Sequence, residues 1–161
     1  MRRFAPDELG AFLRALDAET ALDASVKLIG GAALSFYAPK HSTTDIDHVG
    51  TDGSIEEAYE RLKQRNDVSM LPLQRVAVHH EPAGTAERWQ RVVLEPPLKH
   101  LTVFIPERHD LALMKIVRGY THDLEGVAEL HRNAPMDLET LIDRYLETWV
   151  TGSRSNFRIS F

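Results

Sequence analysis

The stretch Val26-Lys-Leu-Ile29-Gly30-Gly31-Ala-Ala-Leu-Ser-Phe-Tyr37-Ala-Pro-Lys-His41-Ser-Thr43-Thr44-Asp45-Ile46-Asp47-His48-Val49 decides how this chain is read. Val26 to Ile29 is a short apolar run and predicts a buried strand. Ala32 to Tyr37 predicts a helix opening directly after the two glycines. Asp45-Ile46-Asp47 alternates as a second strand. Residues i and i+2 of a strand point to one side, so both carboxylates face one spot while Ile46 enters the core. No basic residue lies between them, and two such carboxylates repel unless divalent cations sit between them.

This arrangement resembles the signature of the DNA polymerase β-type nucleotidyltransferase superfamily. It is most similar to the small bacterial branch related to the abortive-infection (AbiEii-like) nucleotidyltransferase toxins. Members share a strand, a Gly-Gly or Gly-Ser turn, a helix, and a strand ending in Thr-x-Asp-hydrophobic-Asp. Gly30, Gly31, Thr43 or Thr44, Asp45 and Asp47 occupy those positions here. The resemblance implies that Asp45 and Asp47 bind Mg²⁺ (or Mn²⁺) bridging the phosphates of a nucleoside triphosphate. Magnesium takes oxygen ligands and is usually held by one or two carboxylates plus substrate phosphates. Gly30 and Gly31 would admit the triphosphate close to the backbone, with Thr44 beside them, and amides at a helix start can donate to phosphate oxygens. The competing reading is a tight strand–helix turn with the aspartates capping a loop.

A second block, His109-Asp110-Leu-Ala-Leu-Met-Lys115-Ile-Val-Arg118-Gly-Tyr-Thr-His-Asp123-Leu-Glu125-Gly126, resembles the segment where the same family carries a helical lysine followed by an Arg/Lys-x-x-Asp-type motif. The resemblance assigns Lys115 and Arg118 to the triphosphate, and Asp123 to orienting either cation or touching the nucleotide. The family's later acidic position falls at Gly126, or is served by Glu125. Lys115 and Arg118 lie one turn apart, read as the polar side opposite Leu113, Ile116 and Val117. On that reading, truncating Lys115 costs no more than an ordinary surface change. The competing reading is an amphipathic helix with a surface ion pair.

A third carboxylate, expected in active members, has two candidates in Glu81 and Glu95, neither in a clean hydrophobic-Asp-hydrophobic setting. Among the eight histidines, His79-His80 is the visible pair. Neighbours on a strand point to opposite faces, so that pair cannot ligate one zinc ion from regular geometry. His41 and His48 flank the aspartates; contact with base or phosphate is one reading, and ordinary surface histidines are the commoner one.

Around these blocks the pattern alternates. A helix is expected over Pro6 to Leu16, with Leu9, Phe12, Leu13 and Leu16 on one face. Ser54-Ile-Glu-Glu57 reads as a capping box opening a helix to about Arg65. Strands are expected at Val68 to Leu71, Arg75 to His79, Trp89 to Leu94 and Leu101 to Ile105. Helices follow over Asp110 to Arg118, from a Thr121 cap to His131, and after Asp137. Phe157, Ile159 and Phe161 alternate and suggest an edge strand. The fold class is therefore α/β (α+β): a mixed sheet flanked by helices, a minimal nucleotidyltransferase outline with a short C-terminal helical cap. Residues 1–150 form one domain and 151–161 a tail.

At 161 residues one domain can bury a real core. There is no cysteine, no apolar run of membrane length and no signal-peptide pattern in Met-Arg-Arg-Phe-Ala-Pro-Asp-Glu, so a cytoplasmic protein without a membrane partner is expected. A net charge of −5 argues against a surface that grips nucleic acid throughout. Arg61-Lys63-Arg65 and Arg88-Arg91 read as solvated faces. The expected function is transfer of a nucleoside monophosphate to a hydroxyl of RNA, such as a tRNA end, or of a protein. Small relatives of this kind are often toxins, so an antitoxin is an expected partner. The alternative is a non-catalytic module that keeps the fold and perhaps the nucleotide.

Overall fold

A computed structural model of the chain describes residues 1–50, 53–65, 69–77 and 80–151. Five strands, β1 (Ala24–Ile29), β2 (Ile46–Val49), β3 (Leu73–Arg75), β4 (Gln90–Val92) and β5 (Leu101–Ile105), form one mixed sheet in the order β3-β2-β1-β5-β4. β1 runs antiparallel to β2 and parallel to β5, β2 and β3 are parallel, and β4 and β5 are antiparallel. Helices α1 (Pro6–Glu19), α2 (Gly30–Tyr37), α3 (Ser54–Lys63), α4 (Arg108–Arg118), α5 (Thr121–Asn133) and α6 (Leu138–Tyr145) flank it, and π-helical turns continue α6 over Leu146–Thr151. This is the α+β class expected from the sequence.

The pleat sorts the central strands. Val26, Leu28, Ile46, Val103 and Ile105 are buried in the main core with α1, α2, α3 and α4. Ile29, Val49 and Met114 form a smaller cluster with Val76 and Trp89 packed against it. α1 supplies Leu9, Phe12, Leu13 and Leu16, each at most 1% exposed; burying each is worth about 1.5–3 kcal/mol. At its end Asp17 accepts backbone N–H bonds from Lys99, His100 and Leu101 at 2.9, 2.8 and 2.7 Å. Burial pushes its carboxyl up, but those three donors hold it below the usual carboxylate range.

Several expectations shift. The third strand is Leu73–Arg75, pairing Ile46 with Leu73, so Ser69 to Leu71 are not strand and the expected Arg75 to His79 strand begins two residues earlier and stops at Arg75. Val68, Val78 and His79 lie outside the described residues, as does the expected edge strand at 157–161. The cap of α3 is Gly53 in the left-handed region, which makes Ser54 the first helical residue and not the cap of a capping box. The reciprocal bond of a capping box instead occurs on α1, where Glu8 accepts from the Ala5 N–H at 2.9 Å. Gly119 ends α4 in the left-handed conformation, and Asp137 caps α6 through the Thr140 N–H. Among the described residues no helix is long and apolar enough to cross a membrane.

Candidate active site

β1 ends at Ile29 and the chain turns at once into α2, which requires φ +63° at Gly30. A side chain there would be strained and would sit 3.1 Å from Asp47 Oδ2; at Gly31 a Cβ would stand 2.7 Å from Thr43 Oγ1. The two glycines thus let the start of α2 lie against the Thr43–Asp47 segment. That segment is pinned from the N-terminus. Phe4 and Thr43 exchange backbone bonds at 2.7 and 3.0 Å, and Arg3 donates to Ser42 Oγ and its carbonyl at 2.8 and 2.7 Å. Thr43 Oγ1 in turn donates to the Asp45 carbonyl at 2.8 Å.

Asp45, Asp47, Thr43, Thr44, Gly31, Lys115 and Arg118 line one cleft of ≈ 440 Å³. Gly30 lines an adjoining pocket of ≈ 100 Å³, walled by Ile29, Val76, Leu111 and Met114 and sharing Asp47, Lys115 and Arg118 with the cleft. Ile46 enters the core at 0% exposure, as the alternation requires. Burial and then the Asp45 charge push the Asp47 carboxyl above its ordinary value, while Arg118 and Lys115 pull it back. A carboxylate crowded in this way gains from a divalent cation.

Lys115 departs from its sequence reading. It is 6% exposed, on the inward side of α4 beside Met114, whereas Ile116 points to solvent. Its ammonium is 3.5 Å from Oδ1 of Asp123, which is fully buried, and burial pushes it below the usual lysine value against the pull of Asp123. Arg118 Nε donates to Asp123 Oδ2 at 2.7 Å, and a second guanidinium nitrogen reaches Oδ1. Burial alone would raise the Asp123 carboxyl, but the Arg118 bonds and charge hold it low. Asp123 does not line the cleft; it stands behind the two cations and orients them. The family's later acidic position is Gly126 here, where a Cβ would stand 3.3 Å from Leu34 Cδ2 and 3.4 Å from Lys115 Nζ.

Neither candidate for a third carboxylate is placed beside the pair. β4 enters the sheet at Gln90, level with Ile105 at the cleft end, and leaves it at the other end, where the Glu95 and Pro96 carbonyls accept from Arg14 of α1. Glu81 lines neither cavity. The residue opposite Asp47 on β3 is Gln74. Carboxylates do reach the cleft from α5, as Glu125 and Glu129, and Glu129 Oε2 is 2.7 Å from His41 Nδ1. His41 lines the cleft, so of its two sequence readings the commoner one, an ordinary surface histidine, does not describe it. His48 is fully buried, with burial holding its imidazole below the ordinary value. Nothing in the sequence joins His41 to Glu129, because they belong to different elements, and Arg3 carries no motif at all.

β2 begins at Ile46, so Asp45 sits in the bend just before the strand and not on it as the alternation predicted. With Asp47 and nearby hydroxyl and carbonyl oxygens it still suits a hard cation such as Mg²⁺ or Mn²⁺. Among the described residues no group of three or more His, Cys, Asp or Glu is arranged to hold a metal ion. A cation at Asp45 and Asp47 would therefore draw its remaining ligands from water and substrate.

Asp47 on the second strand of a mixed sheet, Asp45 just before it and two helical cations lining the same cleft fit a nucleotidyltransferase-like protein. The chain belongs to the family described as "Nucleotidyltransferase of unknown function (DUF6036)", which matches residues 8–160. Its fold is similar to that of an antigenic nucleotidyltransferase-like protein from Paracoccidioides brasiliensis, with a TM-score of 0.54 over 96% of this chain and 94% of that one. The two are 15% identical, so this likeness concerns the fold alone. Among curated proteins no match is found.

Proposed function

We propose that the chain is a small polymerase β-type nucleotidyltransferase of the AbiEii-like branch, moving a nucleoside monophosphate from a nucleoside triphosphate to a hydroxyl of RNA or protein. The observation that carries this reading is the opposition, in one cleft, of Asp45 and Asp47 to Lys115 and Arg118. Asp45 and Asp47 would hold Mg²⁺ or Mn²⁺, which when bound neutralises phosphate charge and favours ionisation of the attacking hydroxyl. Gly30 and Gly31 let the start of α2 close on Thr43 and Asp47, which would set the helix start and the carboxylates together beside the triphosphate. Lys115 and Arg118, fixed by Asp123, meet the charge that builds on the phosphates as pyrophosphate departs. Because Asp123 is tied to both cations, they are set in place before substrate arrives, and little reorganisation is left for the reaction.

The experiment is incubation with labelled nucleoside triphosphates, Mg²⁺ and total cell RNA or lysate. Transfer that disappears in Asp45→Asn and Asp47→Asn supports the enzyme. Nucleotide binding without transfer supports the second reading, a non-catalytic module, which Gln74 opposite Asp47 and the remote Glu95 favour. Toxicity on expression, relieved by a partner protein, would support a toxin role.

A further inference from the structure

The last helix presents a face that the cleft does not use. None of the residues of α6 is buried. Its inward side is fixed by Leu141 against the core, by Arg144 donating to Asp110 Oδ1 at 2.8 Å, and by Thr148 Oγ1 accepting from the Ala83 N–H at 2.8 Å. Next to that side runs an apolar stripe at helical spacing: Leu138 (68% exposed), Ile142 (48%), Tyr145 and Leu146 (42% each) and Val150 (40%). Beyond the stripe, Glu139, Asp143 and Glu147 form a second row, all exposed and without an ion pair among the described residues. An apolar ridge bordered by a row of charge is the pattern of a helix that expects a partner.

We propose that this face docks a partner protein through an amphipathic helix whose apolar ridge is flanked by lysine or arginine. The sign of the charge selects the occupant. Two copies packed antiparallel through this stripe would bring their acidic rows together, and Arg144, the one cation within α6, is committed inward to Asp110 and Glu107. The same row repels nucleic acid and anionic lipid, whereas interfacial membrane helices carry Lys and Arg on their polar face. A basic row on a partner satisfies three carboxylates at the rim, which sets register and orientation more than affinity.

The test uses the full chain and two designed helical peptides of about 20 residues with the same leucine ridge, one flanked by lysines and the other by glutamates. Fluorescence anisotropy should show the lysine peptide binding at least about tenfold tighter, an advantage that shrinks with salt. Ile142→Glu with Leu146→Glu should abolish binding. The triple variant Glu139→Lys, Asp143→Lys, Glu147→Lys should reverse the preference, and it decides the matter alone if the first variant fails to fold by circular dichroism. Equal binding of both peptides, binding of neither, or binding indifferent to the stripe would overturn the proposal. So would a sedimenting dimer lost in Ile142→Glu, which gives the face to a second copy. Binding that appears only after deletion of residues 152–161 would give it to the chain's own tail.

Discussion

At Gly31 a methyl group has nowhere to go. It would press on Thr43 Oγ1, which is buried and already bonded to the Asp45 carbonyl. Gly31→Ala should therefore act on the position of Asp45 as much as on stability: a melting-point loss equivalent to about 1–3 kcal/mol, and a fall in nucleotide transfer of about 10²-fold, the usual cost of displacing a reacting group by about 1 Å. Retained transfer alongside a lowered melting temperature would make the contact purely structural. Lys115 needs a different substitution. Because it is buried, its loss as alanine would mix a cavity with a lost charge. Lys115→Met keeps the stem, and Asp123 keeps its two bonds to Arg118, so stability should change by less than about 1.5 kcal/mol. Transfer should fall by about 10²–10³-fold if the ammonium meets the phosphates; parallel melting and kinetic measurements separate the two. The spacing of Lys115 and Arg118 was legible from sequence, and so was their nearness to Asp123. The burial of Lys115 was not, because a lysine among Leu113, Ile116 and Val117 reads as the wet side of a helix until α5 is laid across it.

Among the elements, α4 connects the cleft to the rest of the fold. Its first turn carries Asp110, fully buried, which accepts from Arg88 Nε and Nη2 at 2.8 and 2.9 Å and from Arg144 of α6 at 2.8 Å. Glu107, just before α4, accepts from Arg144 and from His109 Nδ1, and His109 Nε2 accepts the Asp137 N–H at 2.9 Å. A buried network of this kind is weak evidence for net stability, but removing its centre takes a buried carboxylate from two guanidinium groups and leaves Arg88 to the Ala83 carbonyl and Arg144 to Glu107. Asp110→Ala should destabilise by about 3–5 kcal/mol in denaturant titration. Hydrogen exchange should rise first in α6, since Arg144 is its side-chain tie to α4; uniform loss of protection would mean that α6 is held by apolar packing and by its N-cap bond to His109 instead. Helix and strand order followed from the runs and spacing of apolar residues and from the turn residues between them. The network did not, since Arg88 and Arg144 find Asp110 across 22 and 34 residues of chain. The β3 strand was misplaced for a related reason: with three residues and one partner, its limits are set by pairing with β2 and not by its own pattern.

At the scale of the molecule, Asp17 ties the first helix to β5. Its carboxyl is held low in the folded state, so the unfolded chain takes up the proton first. The associated stability is complete above about pH 4, the ordinary aspartate range, and is lost as pH falls through the lowered folded value. Asp17→Asn keeps an oxygen for the His100 and Leu101 amides but loses the one facing Lys99. Unfolding free energy at pH 7 should drop by about 1–3 kcal/mol, and the acid limb of a stability–pH profile should flatten relative to the parent chain. An unchanged acid limb would assign that titration to other carboxylates.

The pairing of β1 with β5 also governs when the molecule becomes competent. Ala24 bonds beside Leu101, and the glycine turn and aspartates come from one half of the chain while Lys115 and Arg118 come from the other. Emerging from the ribosome in order, the first half can form α1, β1, α2 and β2, but the central strand stays open on one side until β5 has been made. Such long-range pairing is entropically expensive and slow. A chain stopped before β5 would carry the carboxylates without the cations, so the two charges of the cleft meet only once β5 and α4 have been made.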